Sequence, residues 1–490
     1  MIPVIQSIVE TAEADRMAPA LFGPQVYITY ADLLDKIARI SNVLAARRIP
    51  RRAKVYLNIS EPNLRLLAAL ACLHYGLIPF IVLELGNIAD EVDHDLVIGS
   101  TNPHHPKLPS DIVIDNALLN GPGVDAKLRD FPTPGNDEIM FIATTTGTTG
   151  RRKLVAQTYG MRASRAPAGR RFEAGDRVMF TIGDVTQYGF TLSYQILLGG
   201  GAIARKVQNM RENIGVISRY SVNRMIATPI ALERMMDFME ADSVRLPSLK
   251  QISITGSLFH TALVERLERM FSAEIIVAYG SSESGGISRG VVTSEKFRAG
   301  YVGELMEGVK LMSAGTPDRP AQLTIINDRS RIGGYYSRGQ VIPDNTPFYA
   351  LPDLGYVQDG ALYLVGRDDE VYNVSGNKIA FSRIESAVRG VPGIRDAAVC
   401  GGGELGDPVA LLIAVVADGS LNAKDVTASI VELTRLPRME SSLKVFRLSE
   451  IPRNDMGKVD RGGVVRAYLA QAGTTSATPA GGFPETVGNA

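Results

Sequence analysis

Apolar positions in the first hundred residues change period in a regular way. Leu33, Ile37, Ile40 and Leu44 recur at helical spacing and make one apolar stripe. Thr29-Tyr30-Ala31-Asp32, just ahead of them, reads as a capping box, so a helix begins near Tyr30. Val55, Leu57 and Ile59 then alternate, which predicts a short strand within Arg51–Ile59. Ser60 is the expected cap of the next helix. Pro62 falls in its first turn, where a missing N–H costs nothing, and Gly76 ends it after Tyr75. Leu77–Leu83 reads as an apolar strand. The run Leu66–Leu83 is the most apolar in the chain, but its His74, Gly76 and Pro79 suit a buried helix, a turn and a strand rather than a membrane span. Helices alternating with continuous apolar strands predict a parallel α/β sheet covered on both faces.

The alternation resumes from Arg177 to Gly286. Val178–Ile182, Met225–Ala227, Gln251–Thr255 and Ile275–Ala278 read as strands, with helical patterns at Ile230–Glu240 and Leu263–Phe271 between them. Glycines and β-formers dominate Gly300–Gly366, which predicts antiparallel strands in a small β-barrel-like part. A helix at Phe381–Arg389 and strands at Asp396–Val399 and Val409–Val416 then suggest a small α+β module. The expected division is a large domain over 1–367, a small one over 368–470 and a disordered tail over 471–490, where Gly, Ala, Thr and Pro accumulate. Gly401-Gly402-Gly403-Glu404-Leu405-Gly406 matches a dinucleotide fingerprint in spelling only. Pro408 and a β-pattern follow it instead of a helix, so a β-hairpin is expected there.

Composition narrows the function. The 490 residues are 45% hydrophobic and 21% charged, ordinary for a globular chain. Lys plus Arg total 52 and Asp plus Glu total 52, so no global field draws nucleic acid or an anionic membrane. Two cysteines, Cys72 and Cys400, exclude a disulfide framework or a Cys-rich zinc site and suit a reducing, cytoplasmic setting. Of five histidines only His104 and His105 adjoin, which argues against a catalytic metal built on several His ligands. Met1–Arg16 has no basic region of the secretory-signal kind.

Four motifs carry chemistry. Thr144-Thr145-Thr146-Gly147-Thr148-Thr149-Gly150-Arg151-Arg152-Lys153 follows the apolar strand Ile139–Ala143. It offers hydroxyls, approachable backbone amides and one lysine, the groups a polyphosphate needs, although a polar hairpin turn would look similar. It is not a Walker A loop. Ala278-Tyr279-Gly280-Ser281-Ser282-Glu283 places a carboxylate just past a strand, suited to Mg²⁺, and an aromatic suited to stacking on a purine. It is no nucleophile elbow, because Ser284 stands where a glycine is required. Asp353 in Leu351-Pro352-Asp353 can accept two hydroxyls of a ribose, and Arg367 can reach ribose or phosphate oxygens. Ile451-Pro452-Arg453-Asn454-Asp455-Met456-Gly457-Lys458 ends on a lysine in a glycine-flanked turn.

These motifs, in this order, resemble those of the acyl-adenylate-forming (ANL) superfamily, which holds acyl-CoA synthetases, nonribosomal-peptide adenylation domains and firefly luciferase. The resemblance covers most of the chain. Arg152 replaces the proline usual in the first motif, and Leu351-Pro352 replace the Thr-Gly that usually precede the ribose-binding aspartate. The resemblance implies a large domain of mainly parallel sheets and a small mobile C-terminal lid. It assigns Thr145, Thr146, Gly147, Thr148, Thr149 and Lys153 to the phosphates of ATP, and Glu283 to Mg²⁺. It places Tyr279, Gly280, Ser282, Gly256 and Ser257 around adenine and the adjoining acyl pocket, and Asp353 and Arg367 at the ribose. Lys458, Glu283 and Thr145 become the catalytic residues, with Lys458 serving adenylation. Asp369 becomes the hinge. Asn373-Val374-Ser375-Gly376 resembles a stretch of acetyl-CoA synthetases, so Ser375 and Gly376 would admit a pantetheine arm.

The implied activity is an AMP-forming ligase that joins a carboxylic acid to the thiol of CoA through an acyl-adenylate. Loading of a separate carrier protein's phosphopantetheine, a nucleotide-binding pseudoenzyme and a luciferase-type oxidoreductase stay open. In Gly183–Phe190, Thr186 falls where relatives often carry a histidine, and Tyr188 lies nearer than Asp184 to the place of an amine-binding aspartate. An apolar or aromatic acid is therefore expected, with Phe190, Tyr194 and Thr228 as its lining or, equally, as ordinary core residues. Sequence does not fix the acid, the oligomeric state or the pathway.

Overall fold

The computed structural model describes residues 1–82, 92–145, 153–164, 171–328, 332–344, 346–368, 370–374, 377–401, 411–418, 422–434, 443–454 and 457–471. It divides into two compact units. One is Met1–Asp369 with Asp455–Gly457, and the other is Glu370–Asn454 with Lys458–Ala490.

Local chemistry explains the element ends. The helix Tyr30–Ala46 starts on a complete capping box: the Thr29 hydroxyl accepts from the Asp32 amide at 3.1 Å, and the Asp32 carboxylate accepts from the Thr29 amide at 3.2 Å. Its stripe of Leu33, Ile37, Ile40 and Leu44 is buried. The helix Pro62–Tyr75 is capped by Glu61 rather than by the expected Ser60. The two Glu61 oxygens accept from the Asn63 and Leu64 amides at 2.9 and 2.5 Å, beside the positive end of the helix dipole. Gly76 closes this helix in the left-handed region at φ +94°, its amide donating to Cys72 O at 2.9 Å.

Among the described residues the first unit holds two large sheets. One has thirteen strands. Within it Pro19–Gly23, Ala202–Ala204, Arg177–Phe180, Arg224–Ala227, Gln251–Ile254 and Glu274–Ser281 run parallel. Gly285–Val291 turns back against Glu274–Ser281, and Tyr301–Leu305, Val309–Ser313, Ala321–Asn327, Tyr349–Gln358 and Ala361–Arg367 continue the sheet antiparallel. The other sheet has eight strands. Ile139–Thr144, Ile78–Ile81, Lys54–Asn58, Leu96–Ser100 and Ile112–Ile114 are parallel, and Leu154–Thr158, Gly334–Ser337 and Gln340–Ile342 extend the edge antiparallel.

The largest apolar core joins the facing surfaces of both sheets, Val178, Phe180 and Ile226 from one and Val55, Leu57 and Phe141 from the other. Helices Pro3–Ala14, Tyr30–Ala46, Pro62–Tyr75 and Gln187–Leu198 contribute to it. A second core lies on the outer face of the thirteen-stranded sheet, under helices Met210–Arg219, Pro229–Ala241 and Thr261–Met270.

In the second unit, Ile394–Gly401, Leu411–Ala417 and Leu443–Arg447 form one sheet. Helices Phe381–Arg389 and Ala423–Thr434 cover one face, and Arg461–Gln471 covers the other. Gly401 pairs antiparallel with Leu411, as a hairpin requires and a dinucleotide fingerprint does not; 402–410 lie outside the described residues, as does the tail from 472. Arg461 donates to Glu370 at 2.7 Å and to Glu385 at 2.9 Å. Burial works against its charge, but the two carboxylates outweigh it and raise the guanidinium's affinity for its proton. Cys72 and Cys400 are free, buried thiols. Among the described residues no helix is long and apolar enough to cross a membrane.

Two stability changes follow. Arg461→Met takes the nearer cation from buried Glu385, leaving Arg389 at 3.6 Å, so denaturant unfolding should show a loss of up to about 3–5 kcal/mol in the unit that holds it. His74, edge-on to Phe131 with Nε2 3.1 Å from Arg129 O, is lowered from its ordinary 6.5 to about 4 by burial. The unfolded chain therefore takes up this proton first, and stability present above 6.5 is lost as pH falls toward 4. His74→Gln should flatten that part of the stability–pH curve; parallel curves would refute the assignment.

Candidate functional site

The threonine-rich segment joins two antiparallel strands, with Thr144 opposite Leu154. Its mouth is closed by the Thr145 amide, which donates to Lys153 O at 2.8 Å, and by a longer bond from the Lys153 amide to Thr145 Oγ1 at 3.4 Å. Thr146, Gly147, Thr148 and Thr149 lie outside the described residues. The next strand in the sheet sets Tyr336 opposite Leu154 and Tyr335 opposite Val155, and the Lys153 ammonium stands 5.5 Å from the centre of the Tyr335 ring.

The strand expected to stop at Ala278 instead runs from Glu274 to Ser281, so Tyr279 and Gly280 belong to it. It bulges between Tyr279 and Gly280 and returns as Gly285–Val291. Only glycine fits position 280, because a Cβ there would lie 2.3 Å from the Gly285 carbonyl oxygen. Ser281 Oγ accepts from the Ser284 amide at 3.0 Å and closes the turn. Asn327, 3% exposed, donates its side-chain amide to the carbonyls of Ser284 and Gly286 at 2.7 and 3.2 Å. Gln187 does the same to the Ser282 carbonyl at 3.1 Å. Glu283 is left half-buried at the tip. The Tyr335 phenol is pushed up to about 12, first by burial and then by the negative charges of Glu283 and Asp344. Tyr335 thus has Lys153 over its ring and feels the charge of Glu283, so the two motifs, carried on different sheets, share one neighbourhood.

A third group adjoins them. Tyr279 donates its hydroxyl to Asp353 Oδ2 at 2.7 Å, and Asp353 pairs across the sheet with Arg367. Burial, followed by the Asp353 charge, holds the Tyr279 phenol well above its ordinary value, with Arg367 opposing. Leu351, which stands for the usual threonine, is buried in the outer core, and that packing fixes the strand that presents Asp353. Gly256 turns the chain at φ +95° after the strand Gln251–Ile254, and Ser257 beside it is exposed.

The helix Gln187–Leu198 begins beside this hairpin. Thr186 caps it, accepting from the Gly189 amide at 3.0 Å and donating to Gly183 O at 2.7 Å, so its hydroxyl is engaged by the helix start. Phe190 packs edge-on against Phe141, with ring centres 5.0 Å apart, and belongs with Tyr194 to the inter-sheet core. Thr228 is buried at the head of Pro229–Ala241. Tyr188 is half-buried and accepts from Arg171 at 3.4 Å. Asp369, Ser375 and Gly376 lie outside the described residues. Lys458 belongs to the second unit, where its amide donates to Asn454 Oδ1 at 3.1 Å and its carbonyl accepts from the Asn454 amide at 2.9 Å.

Tyr335, Gln187 and Asn327 carried no signal in the sequence. Each acts through contacts to residues far away along the chain, and a tyrosine doublet or a lone amide has no spacing to betray it.

Two motif-bearing hairpins on separate sheets thus converge on one tyrosine, Tyr335. The AMP-binding enzyme family matches residues 8–340. The chain belongs to that family and is an AMP-dependent acid–thiol ligase. It is 22% identical to a 4-chlorobenzoate–CoA ligase of an Arthrobacter species over 95% of both chains. It is 25% identical to the fatty acid–[acyl-carrier-protein] ligase MmaC of Mycobacterium marinum over 94% of this chain and 96% of that one. Among solved structures, ATP-bound MatB from Rhodopseudomonas palustris superposes with a TM-score of 0.76 at 18% identity, covering 96% of this chain and 99% of that one. O-succinylbenzoate coenzyme A synthetase (MenE) from Bacillus subtilis, in complex with AMP, gives 0.73 at 18%, covering 93% and 97%.

Asn327→Ala removes the donor shared by two carbonyls of the Glu283 hairpin. It should cost about 1–3 kcal/mol in denaturant unfolding, the price of leaving buried acceptors unpaired; an unchanged midpoint would show the hairpin holds without it.

Proposed function

We propose that the enzyme activates a carboxylic acid with MgATP and passes the acyl group to the thiol of CoA. A carboxylate oxygen bonds to the α-phosphorus as pyrophosphate leaves; the thiol sulfur then bonds to the acyl carbon as AMP leaves. No side-chain nucleophile is needed, and the protein's work is positioning and charge neutralisation.

The observation that supports this most is the meeting of Lys153 and Glu283 around Tyr335, with the Tyr279–Asp353–Arg367 group alongside. Lys153 and the segment Thr145–Thr149 are assigned to the phosphates. A single half-buried carboxylate beside a phosphate loop suits Mg²⁺, which is commonly held by one or two carboxylates together with substrate phosphates, and Glu283 is that ligand. When bound, the ion neutralises phosphate charge. Asp353 spends one oxygen on Tyr279 and keeps the other for a ribose hydroxyl, with Arg367 opposite it. Tyr279, thereby fixed in rotation, offers its ring to adenine beside Gly256. Lys458 is assigned to the adenylation step from its motif. Asn373-Val374-Ser375-Gly376 favours CoA as acceptor.

A second reading, transfer to a carrier protein's phosphopantetheine, is favoured by the likeness to MmaC, whose name records a carrier-protein acceptor. Pyrophosphate release over a panel of acids, with and without CoA, tests both. An acyl-CoA product supports the first reading, whereas thioester formed only on a carrier supports the second. Lys458→Ala should keep the fold and slow ATP–pyrophosphate exchange by roughly 10²-fold or more, the scale for losing one preorganised charge donor. Unchanged exchange would overturn the role given to Lys458.

A further inference from the structure

One strand separates two chemical environments. Successive side chains alternate between the faces of a sheet, so Ala278 and Tyr279 point opposite ways. Tyr279 packs with the outer core on the face of Asp353. Ala278 shares the other face with its direct partner Arg289, and with Ile276, whose row continues through Ser253 to Ile226 of the inter-sheet core. That face looks toward the helix Gln187–Leu198.

Three arginines gather there. Arg171 lies along the helix, donating to Tyr188 Oη at 3.4 Å and to Gln195 Oε1 at 3.5 Å, residues two turns apart on one side of it. Arg171 and Arg224 both lie over the ring of buried Phe172, at 5.2 and 5.6 Å. Arg224 is neutralised by Asp176 at 2.9 Å. Arg171 and Arg289 have no carboxylate within ion-pair reach among the described residues. Partial burial, and then repulsion from Arg171 and Arg224, loosens the Arg289 proton, with Glu274 and the Tyr188 phenol opposing. Arg171 is half-buried and Arg289 exposed, and two like charges gathered on one face with no counter-ion among the described residues favour the arrival of an anion.

The location identifies which anion. Gln187, at the start of the helix, holds the Ser282 carbonyl of the Glu283 hairpin, and Arg171 runs from Tyr188 to Gln195, away from that end. The arginines lie on the face of the strand away from Tyr279 and Asp353, and so on the side of the acid rather than of the nucleotide. Because Tyr188 Oη already accepts from Arg171, its own hydrogen is directed to another acceptor.

We propose that the acid substrate carries a second anionic group at its far end, bound by Arg171 and Arg289 with the Tyr188 hydroxyl as an additional donor. A dicarboxylic acid, or an aryl acid bearing an acidic side arm, has that form. This replaces the apolar acid expected from residues 183–190 alone, and it rests on the ligase reading for what happens at the other carboxylate. Guanidinium–carboxylate pairs are directional and charge-assisted, so they discriminate strongly against a neutral isostere.

The test pairs dicarboxylic acids with their mono-methyl esters in ATP–pyrophosphate exchange, using the full-length enzyme, Arg289→Met and Arg171→Gln. Thermal stabilisation by the same acids is measured in parallel. The wild type should prefer the diacid. Each variant, folded by circular dichroism, should lose roughly 10²-fold in kcat/KM for the diacid with little change for the ester, and Arg289→Lys should recover part of the loss. Preference for the ester, or an equal effect of the variants on both acids, would overturn the second-anion site while leaving the ligase reading intact. If diacids stabilise the wild type but not Arg289→Met, and no acid supports exchange, the anion site stands and the ligase reading falls. Neither stabilisation by nor exchange with any diacid would reject the site.

Discussion

The site depends on a close approach between two backbone positions. Gly280 and the carbonyl of Gly285 come nearer than any side chain allows, and this lets the strand turn back directly after Tyr279. The turn decides where a carboxylate projects from the sheet end. Ser281, Asn327 and Gln187 then bind its amides and carbonyls from three directions, so the tip is fixed by hydrogen bonds to main chain rather than by packing of Glu283 itself. On the proposed reading, this leaves the oxygens of Glu283 for the metal ion.

Around this tip, Lys153 and Asp353 each rest against an aromatic side chain. Lys153 rests over the ring of Tyr335, and a ring face attracts a cation without quenching it. Asp353 is held by a phenol, which orients it and leaves its charge. In the second unit, Arg461 is instead paired with two carboxylates, Glu370 and Glu385.

Much of the fold was legible along the chain because its signals are local. The capping box at Thr29, the left-handed Gly76 and the stripe from Leu33 to Leu44 each depend on neighbours within a turn or two. The misplaced cap at Ser60 shows the limit of that reading: Glu61 has two oxygens to offer two amides, and propensity alone favours the hydroxyl. The motifs placed Lys153, Glu283, Asp353 and Arg367 in the chain without showing what joins them. Tyr335 bridges the first two only because its strand pairs with Leu154–Thr158, and Arg289 shares the face of Ala278 only through its register opposite it. Strand register between distant segments is set by tertiary packing, so none of this could be read from spacing.

The sulfur chemistry of the molecule has a practical use. Cys72 and Cys400 are both shut inside their units, and burial holds the Cys72 thiol in its protonated, unreactive form. A cysteine introduced on the surface of each unit would therefore be the preferred target of a maleimide dye, with no natural residue removed beforehand. Energy transfer between two such labels could follow the separation of the units through a complete turnover in an otherwise unaltered protein.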